Sequence, residues 1–134
     1  MRPGLVIFDC DGVLVDTETV ANKVLAGMVT ELGAPMDYRE AQRRYMGRTM
    51  EKVQAMVEDL TGRNLPGGWA DEVRTRTLLE FEKGVEPIRG IEVVVAALKE
   101  EGIPYCVGSS GKYAKMRVTL GKSGLLPLFE EVVF

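Results

Sequence analysis

Four apolar residues in a row, Leu5-Val6-Ile7-Phe8, open the chain's pattern. The run is short and rich in β-branched residues, which predicts a strand buried on both faces, as in a parallel sheet. It stops abruptly at Asp9-Cys10-Asp11-Gly12. The pattern repeats at Ile103 to Val107, which ends in Gly108-Ser109-Ser110-Gly111. A third run begins at Glu131 and reaches Phe134. Between the second and third runs, a helix is predicted from Lys112 to Leu120. Before the second run, Ile91, Val94, Val95 and Leu98 fall at helical spacing on one face, and Gly102 closes that helix. Strand, helix, strand, helix, strand describes part of a doubly wound parallel sheet, hence an α/β fold. Polar groups at the C-terminal ends of such strands sit where open α/β sheets bind ligands.

Residues 17–84 follow a different rule. Thr17 is placed to cap a first helix with Val20, Val24, Leu25 and Met28 on its apolar face, and Gly33 ends it. Asp37-Tyr38-Arg39-Glu40 fits a capping box that opens a second helix. Met46-Gly47-Arg48-Thr49 breaks the pattern, and Thr49 caps a third helix with Val53, Met56, Val57 and Leu60 inward. Gly62 to Gly68 is a turn-rich loop containing Pro66, and a fourth helix runs from Trp69 to Lys83. No strand signal interrupts this stretch. The expected organisation is therefore a partial doubly wound core from residues 1–16 and 85–134, with an all-helical insertion at 17–84.

Composition narrows the partners. The apolar fraction of 46% supplies a hydrophobic core, so disorder is excluded. A net charge of −3 gives no basic footprint, so no nucleic-acid partner is expected. Arg39, Arg43 and Arg44 read as a solvated helix face. No apolar run approaches the roughly 18 residues of a membrane span, and no apolar leader opens the chain. A cytoplasmic protein without a membrane partner is the expectation. Cys10 and Cys106 match neither a zinc pattern nor a disulfide framework and read as small buried residues. The absence of histidine removes Ser-His-Asp and Cys-His catalysis. Acid–base chemistry falls to carboxylates, lysine, tyrosine or thiol.

Phe8-Asp9-Cys10-Asp11-Gly12-Val13-Leu14-Val15-Asp16-Thr17 then carries the chemistry. A carboxylate pinned at a strand end beside a divalent cation can attack phosphorus and form an acyl phosphate. A second carboxylate two residues on can protonate the leaving alkoxide and later deprotonate water. The segment resembles the first motif of the haloacid dehalogenase-like superfamily, in the form carried by its phosphoglycolate phosphatase and β-phosphoglucomutase branch. The resemblance implies that Asp9 is the nucleophile and Asp11 the general acid/base. It implies that Asp9 and the Asp11 backbone carbonyl hold Mg²⁺, and that Gly12 helps to bind the phosphate. Tyr105-Cys106-Val107-Gly108-Ser109-Ser110-Gly111 resembles the second motif. Ser109 would bond the phosphoryl group with the Ser110 N–H beside it, under the positive end of the following helix. The insertion enters where this branch carries its helical cap. Gly47-Arg48-Thr49 resembles its specificity loop, so Arg48 and Thr49 are candidate substrate contacts.

The family's remaining motifs, a lysine and an acidic pair, normally lie beyond the third strand. No earlier lysine has their context; Lys112 and Lys122 precede that strand. The chain therefore reads as truncated, with its first strand exposed as an edge open to self-association. The expected function is Mg²⁺-dependent hydrolysis of a small phosphorylated metabolite. Three alternatives stay open: a phosphomutase, a dehalogenase, and a non-catalytic phosphate-binding fragment. The branch's mutases carry a histidine near the cap hinge, where this chain has Ala21, and Asp11 argues against dehalogenation.

Overall fold

The structure, a computed structural model, describes residues 1–129. The third run, 131–134, lies outside the described residues. Helices and a short parallel sheet make an α/β fold, as the sequence predicts. The chain divides into two compact units, residues 1–18 with 81–134, and residues 19–80.

In the first unit, β1 (Val6–Phe8) pairs in parallel with β2 (Tyr105–Val107), Val6 opposite Tyr105 and Phe8 opposite Val107. Both strands are shorter than their apolar runs. The ladder is extended when the Gly108 N–H donates to the Phe8 carbonyl at 2.8 Å. Gly108 also permits close approach, since a Cβ there would lie 3.1 Å from an Ile7 methyl. The expectation of burial on both faces fails for β1. Phe8 is buried, but Ile7 is 64% exposed, because alternate residues of a strand face opposite ways and only one face is covered among the described residues. On the covered face, Phe8, Tyr105 and Phe129 meet edge to face, with ring centroids 5.5–6.3 Å apart. The Tyr105 hydroxyl donates to the Leu128 carbonyl at 2.9 Å, so the ring's polar tip is satisfied where it is half-buried.

Helix α5 (Ile91–Glu100) precedes β2, and α6 (Tyr113–Lys122) follows it. On α5, Ile91 and Val95 are buried, but Val94 is 46% exposed and Leu98 only half-buried. The predicted four-residue apolar face is thus covered in part. A short helix, α7 (Leu126–Phe129), was not predicted; four residues carry too little periodicity to detect.

Helices α1 (Thr17–Glu31), α2 (Tyr38–Tyr45), α3 (Met50–Thr61) and α4 (Trp69–Lys83) account for residues 17–83. The unit of residues 19–80 has its own core, centred on Val29, Ala41, Tyr45, Val53, Val57 and Trp69. Its caps follow local chemistry. The Asp37 carboxylate accepts from the Glu40 N–H at 2.8 Å, while the Glu40 side chain pairs with Arg44. Thr49 Oγ1 accepts from the Lys52 N–H, and Gly62 ends α3 at a φ of 66°. Leu60 departs from its predicted inward position and is 42% exposed. Thr17, expected to precede the helix as its cap, is instead the first residue of α1, and its buried hydroxyl donates to Asp11, as described below. Arg39, Arg43 and Arg44 form a solvated face, as expected.

The cysteines differ. Cys106 is half-buried, whereas Cys10 has no exposed surface. Burial, then the neighbouring Asp11 carboxylate, push the Cys10 thiol up to about 11.

Two predictions follow from these environments. Gly27 lies inside α1 with nothing within 4 Å of a Cβ position, so Gly27→Ala removes a helix-interior glycine without a clash. Its urea-unfolding midpoint should rise, corresponding to about 0.5–1 kcal/mol; a lower midpoint refutes this account of α1. A thiol reagent at neutral pH should label Cys106 in the folded chain and reach Cys10 only after denaturation, as read by peptide mass spectrometry.

Candidate functional site

The site is built where β1 and β2 end. Parallel pairing places their C-terminal ends on the same side, so the chain leaving Phe8 and the chain leaving Val107 turn next to one another. After β1 the backbone winds tightly. The N–H groups of Val13, Leu14 and Val15 all approach the Cys10 carbonyl at 2.9–3.3 Å, and the Gly12 N–H donates to the Val15 carbonyl at 2.9 Å. Gly12 adopts a φ of 73°, a left-handed conformation that side chains resist, and a Cβ there would lie 3.3 Å from a Glu18 carboxylate oxygen. The turn is anchored from outside by two backbone bonds, Asp16 N–H to the Glu86 carbonyl and Ile88 N–H to the Leu14 carbonyl.

This turn presents the two aspartates differently. Asp9 is exposed at the strand end, and its Oδ1 accepts the Cys10 N–H at 2.8 Å. Asp11 is half-buried, and both of its oxygens are engaged. Oδ1 accepts from the buried Thr17 hydroxyl at 2.9 Å, and Oδ2 lies 3.2 Å from the Lys115 ammonium. A half-buried carboxylate needs such partners, because desolvation penalises an unpaired charge.

Ser109 comes to the same place from β2. Its Oγ accepts the Gly111 N–H at 3.1 Å. A Cβ placed on Gly111 would lie 3.3 Å from Ser109 Oγ and 3.7 Å from Asp11 Oδ2. The second-strand hydroxyl and the second aspartate therefore face one small space, which Gly111 leaves open. Ser110 is exposed beside it, and α6 starts at Tyr113 with Lys112 as its N-cap. Asp9, Asp11, Gly12, Ser109 and Ser110 thus share one end of the sheet. Arg48 and Thr49 belong to the other unit, at the start of α3. There Thr49 caps the helix, and Arg48 Nε donates to the Arg44 carbonyl at 3.2 Å.

Thr17 and Lys115 are the members that sequence reasoning missed. Thr17 was read as a cap, the commonest use of threonine at a helix start. Lys115 belongs to no motif; the available signal is a lysine one turn beyond Gly111.

Chemically, the strand ends offer an exposed carboxylate, a clamped carboxylate, a hydroxyl and one ammonium. Aspartate oxygens are hard donors, the kind that Mg²⁺ takes with water and substrate phosphate completing its shell. No cluster of three or more acidic, cysteine or histidine side chains able to hold a metal occurs among the described residues. The aspartate pair therefore fits the part of such a shell that one or two carboxylates supply.

Comparison with known proteins places this architecture. A 6-phosphogluconate phosphatase of Escherichia coli (strain K12) is 31% identical over 130 residues, 96% of this chain and 58% of that protein. The chain thus spans little more than half the length of this curated relative. A haloacid dehalogenase-like protein from Agrobacterium tumefaciens superposes with a TM-score of 0.85 at 31% identity, covering 99% of this chain and 59% of that one. A hydrolase of the same family from Deinococcus radiodurans, solved with bound phosphate and sodium, superposes at 0.82 with 27% identity, covering 98% and 57%. No helix among the described residues is long and apolar enough to cross a membrane. The profile of the haloacid dehalogenase-like hydrolases matches residues 6–134, and the chain belongs to that family.

Proposed function

We propose that the protein is a Mg²⁺-dependent phosphohydrolase of a small phosphorylated metabolite, with Asp9 as nucleophile and Asp11 as general acid/base. One observation carries the reading. An exposed carboxylate, a clamped carboxylate and a hydroxyl share one end of a parallel sheet. Family membership and the phosphate in the Deinococcus relative support it.

The reaction runs in two displacements. An Asp9 oxygen attacks phosphorus and forms an acyl phosphate as the ester P–O bond breaks. Asp11 gives its proton to the departing alkoxide. Asp11 then takes a proton from water, whose oxygen attacks phosphorus. Phosphate leaves and the Asp9 carboxylate is restored. Ser109 donates its hydroxyl to a phosphoryl oxygen and the Ser110 N–H adds a donor, while Gly12, without a side chain, lets the phosphate approach the turn.

Charge explains the metal. A phosphate dianion here meets two carboxylates, and the Lys115 ammonium is already committed to Asp11, so a further cation is required. The Asp9 carboxylate and the Asp11 main-chain carbonyl would hold it. When bound, Mg²⁺ offsets repulsion between nucleophile and phosphate. Residues 19–80 are proposed to act as the cap. In it, Arg48 and Thr49 would meet the substrate beyond its phosphate, and a second anionic group would suit Arg48. The name of the Escherichia coli relative makes phosphorylated sugar acids the first substrates to try.

In the intact enzyme, phosphate release from 4-nitrophenyl phosphate is expected to require Mg²⁺ and to vanish in Asp9→Asn; residual activity above a few per cent would falsify the nucleophile assignment. Asp11→Asn should slow turnover of alkyl esters about 10²–10⁴-fold, yet leave Mg²⁺ affinity nearly unchanged by calorimetry, because its metal contact is main-chain. Parallel loss of both contradicts that role. Arg48→Ala should shift the preference between a phosphorylated sugar acid and the uncharged sugar phosphate, with 4-nitrophenyl phosphate turnover preserved. An unchanged ratio removes Arg48 from substrate recognition.

A further inference from the structure

Lys115 is the cation at this end of the sheet that no motif explains. It occupies the first turn of α6, where the helix dipole is positive. No acidic residue accompanies it in that turn, and Lys112 precedes it at the N-cap. A lysine there opposes the dipole, so local stability does not account for it. Breaches of a local rule concentrate at functional sites. The side chain is half-buried, with its ammonium 5.6 Å from the Phe81 ring centroid and 3.2 Å from Asp11 Oδ2. The Phe81 face narrows where the long side chain can go, and Asp11 takes its charge.

Thr17 completes the arrangement. Its hydroxyl is committed to Asp11 Oδ1 at 2.9 Å, and the residue is buried. Two donors far apart in sequence thus hold the two oxygens of one carboxylate. Oδ2 is the oxygen directed toward the space shared with Ser109. Fixing both oxygens fixes the carboxylate's rotation, which decides whether its proton can reach a leaving oxygen.

We infer that Lys115 is a positioning residue for Asp11, closing with Thr17 a two-point clamp that aims Oδ2 at the leaving group. The inference rests on Asp11 being the general acid/base. Lys115 touches neither the nucleophile nor the reacting phosphorus in this scheme. Its effect on the first displacement passes through Asp11 and therefore scales with how much the leaving group needs a proton, whereas its effect on the hydrolysis of the acyl phosphate is common to all esters.

That dependence supplies the test. In the active enzyme, Lys115→Met should lower the single-turnover rate of alcohol release from a primary alkyl phosphate about 10–100-fold and leave the single-turnover release of 4-nitrophenol from 4-nitrophenyl phosphate, whose leaving group needs no proton, within about threefold. Lys115→Arg should recover part of the loss. The double variant with Asp11→Asn should be no slower than Asp11→Asn alone. Equal losses in the single-turnover release of both leaving groups overturn the inference. If Asp11→Asn itself spares the alkyl ester, the acid/base reading of Asp11 falls first. The clamp is then judged without turnover, on the full chain. Lys115→Met should shift the Asp11 side-chain carboxyl ¹³C resonance and Lys115→Arg should restore it. An unmoved resonance eliminates the clamp.

Discussion

The parallel register of β1 on β2 is the constraint on which the site depends. Because both strands run the same way, their C-terminal turns emerge side by side, and residues far apart in sequence become neighbours. Three paired residues could not hold that register alone. The Phe8, Tyr105 and Phe129 rings lock it from the covered face, and the Gly108-to-Phe8 bond extends the ladder to the rim. A slip of one residue would turn Phe8 outward and Ile7 inward, exchanging the covered and open faces. It would also carry Ser109 away from Asp11.

Electrostatics at the rim follows from that geometry. Two aspartates separated by one residue would repel if both projected into one low-dielectric space. The structure divides their environments instead. Asp9 is solvated at the strand end, and Asp11 is half-buried and doubly held. The same turn accounts for Cys10. Its side chain lies between the two acids in sequence but is sealed inside, where burial keeps the thiol protonated and inert. One turn thereby assigns three consecutive side chains to exposed, buried and clamped environments.

Much of this was legible in the sequence, wherever local chemistry decides the structure. Asp37, Thr49 and Gly62 mark helix ends through bonds made within a few residues, so their roles could be read directly. The place of Asp9, Asp11 and Ser109 beyond strand ends was legible because each follows an apolar run that reads as a strand. What escaped was set by tertiary contact. Leu60 and Val94 obey helical periodicity and yet remain exposed, because periodicity shows which face is apolar and not whether anything covers it. Thr17 sits where a cap belongs but gives its hydrogen bond to a carboxylate six residues back. Lys115 was invisible because its partner is fixed only once the strands have paired.

That last contact spans 104 positions of the chain. At roughly 5–20 residues per second of synthesis, β1 leaves the ribosome on the order of 5–20 s before its partner exists. During that wait, Ile7 and Phe8 offer an apolar strand with open edges to the surroundings. The helices of residues 19–80 close their core locally and can form meanwhile. β1, made before its partner strand, is thus among the last of these segments to find its place, and a chaperone that shields it co-translationally would act on the step that assembles the site.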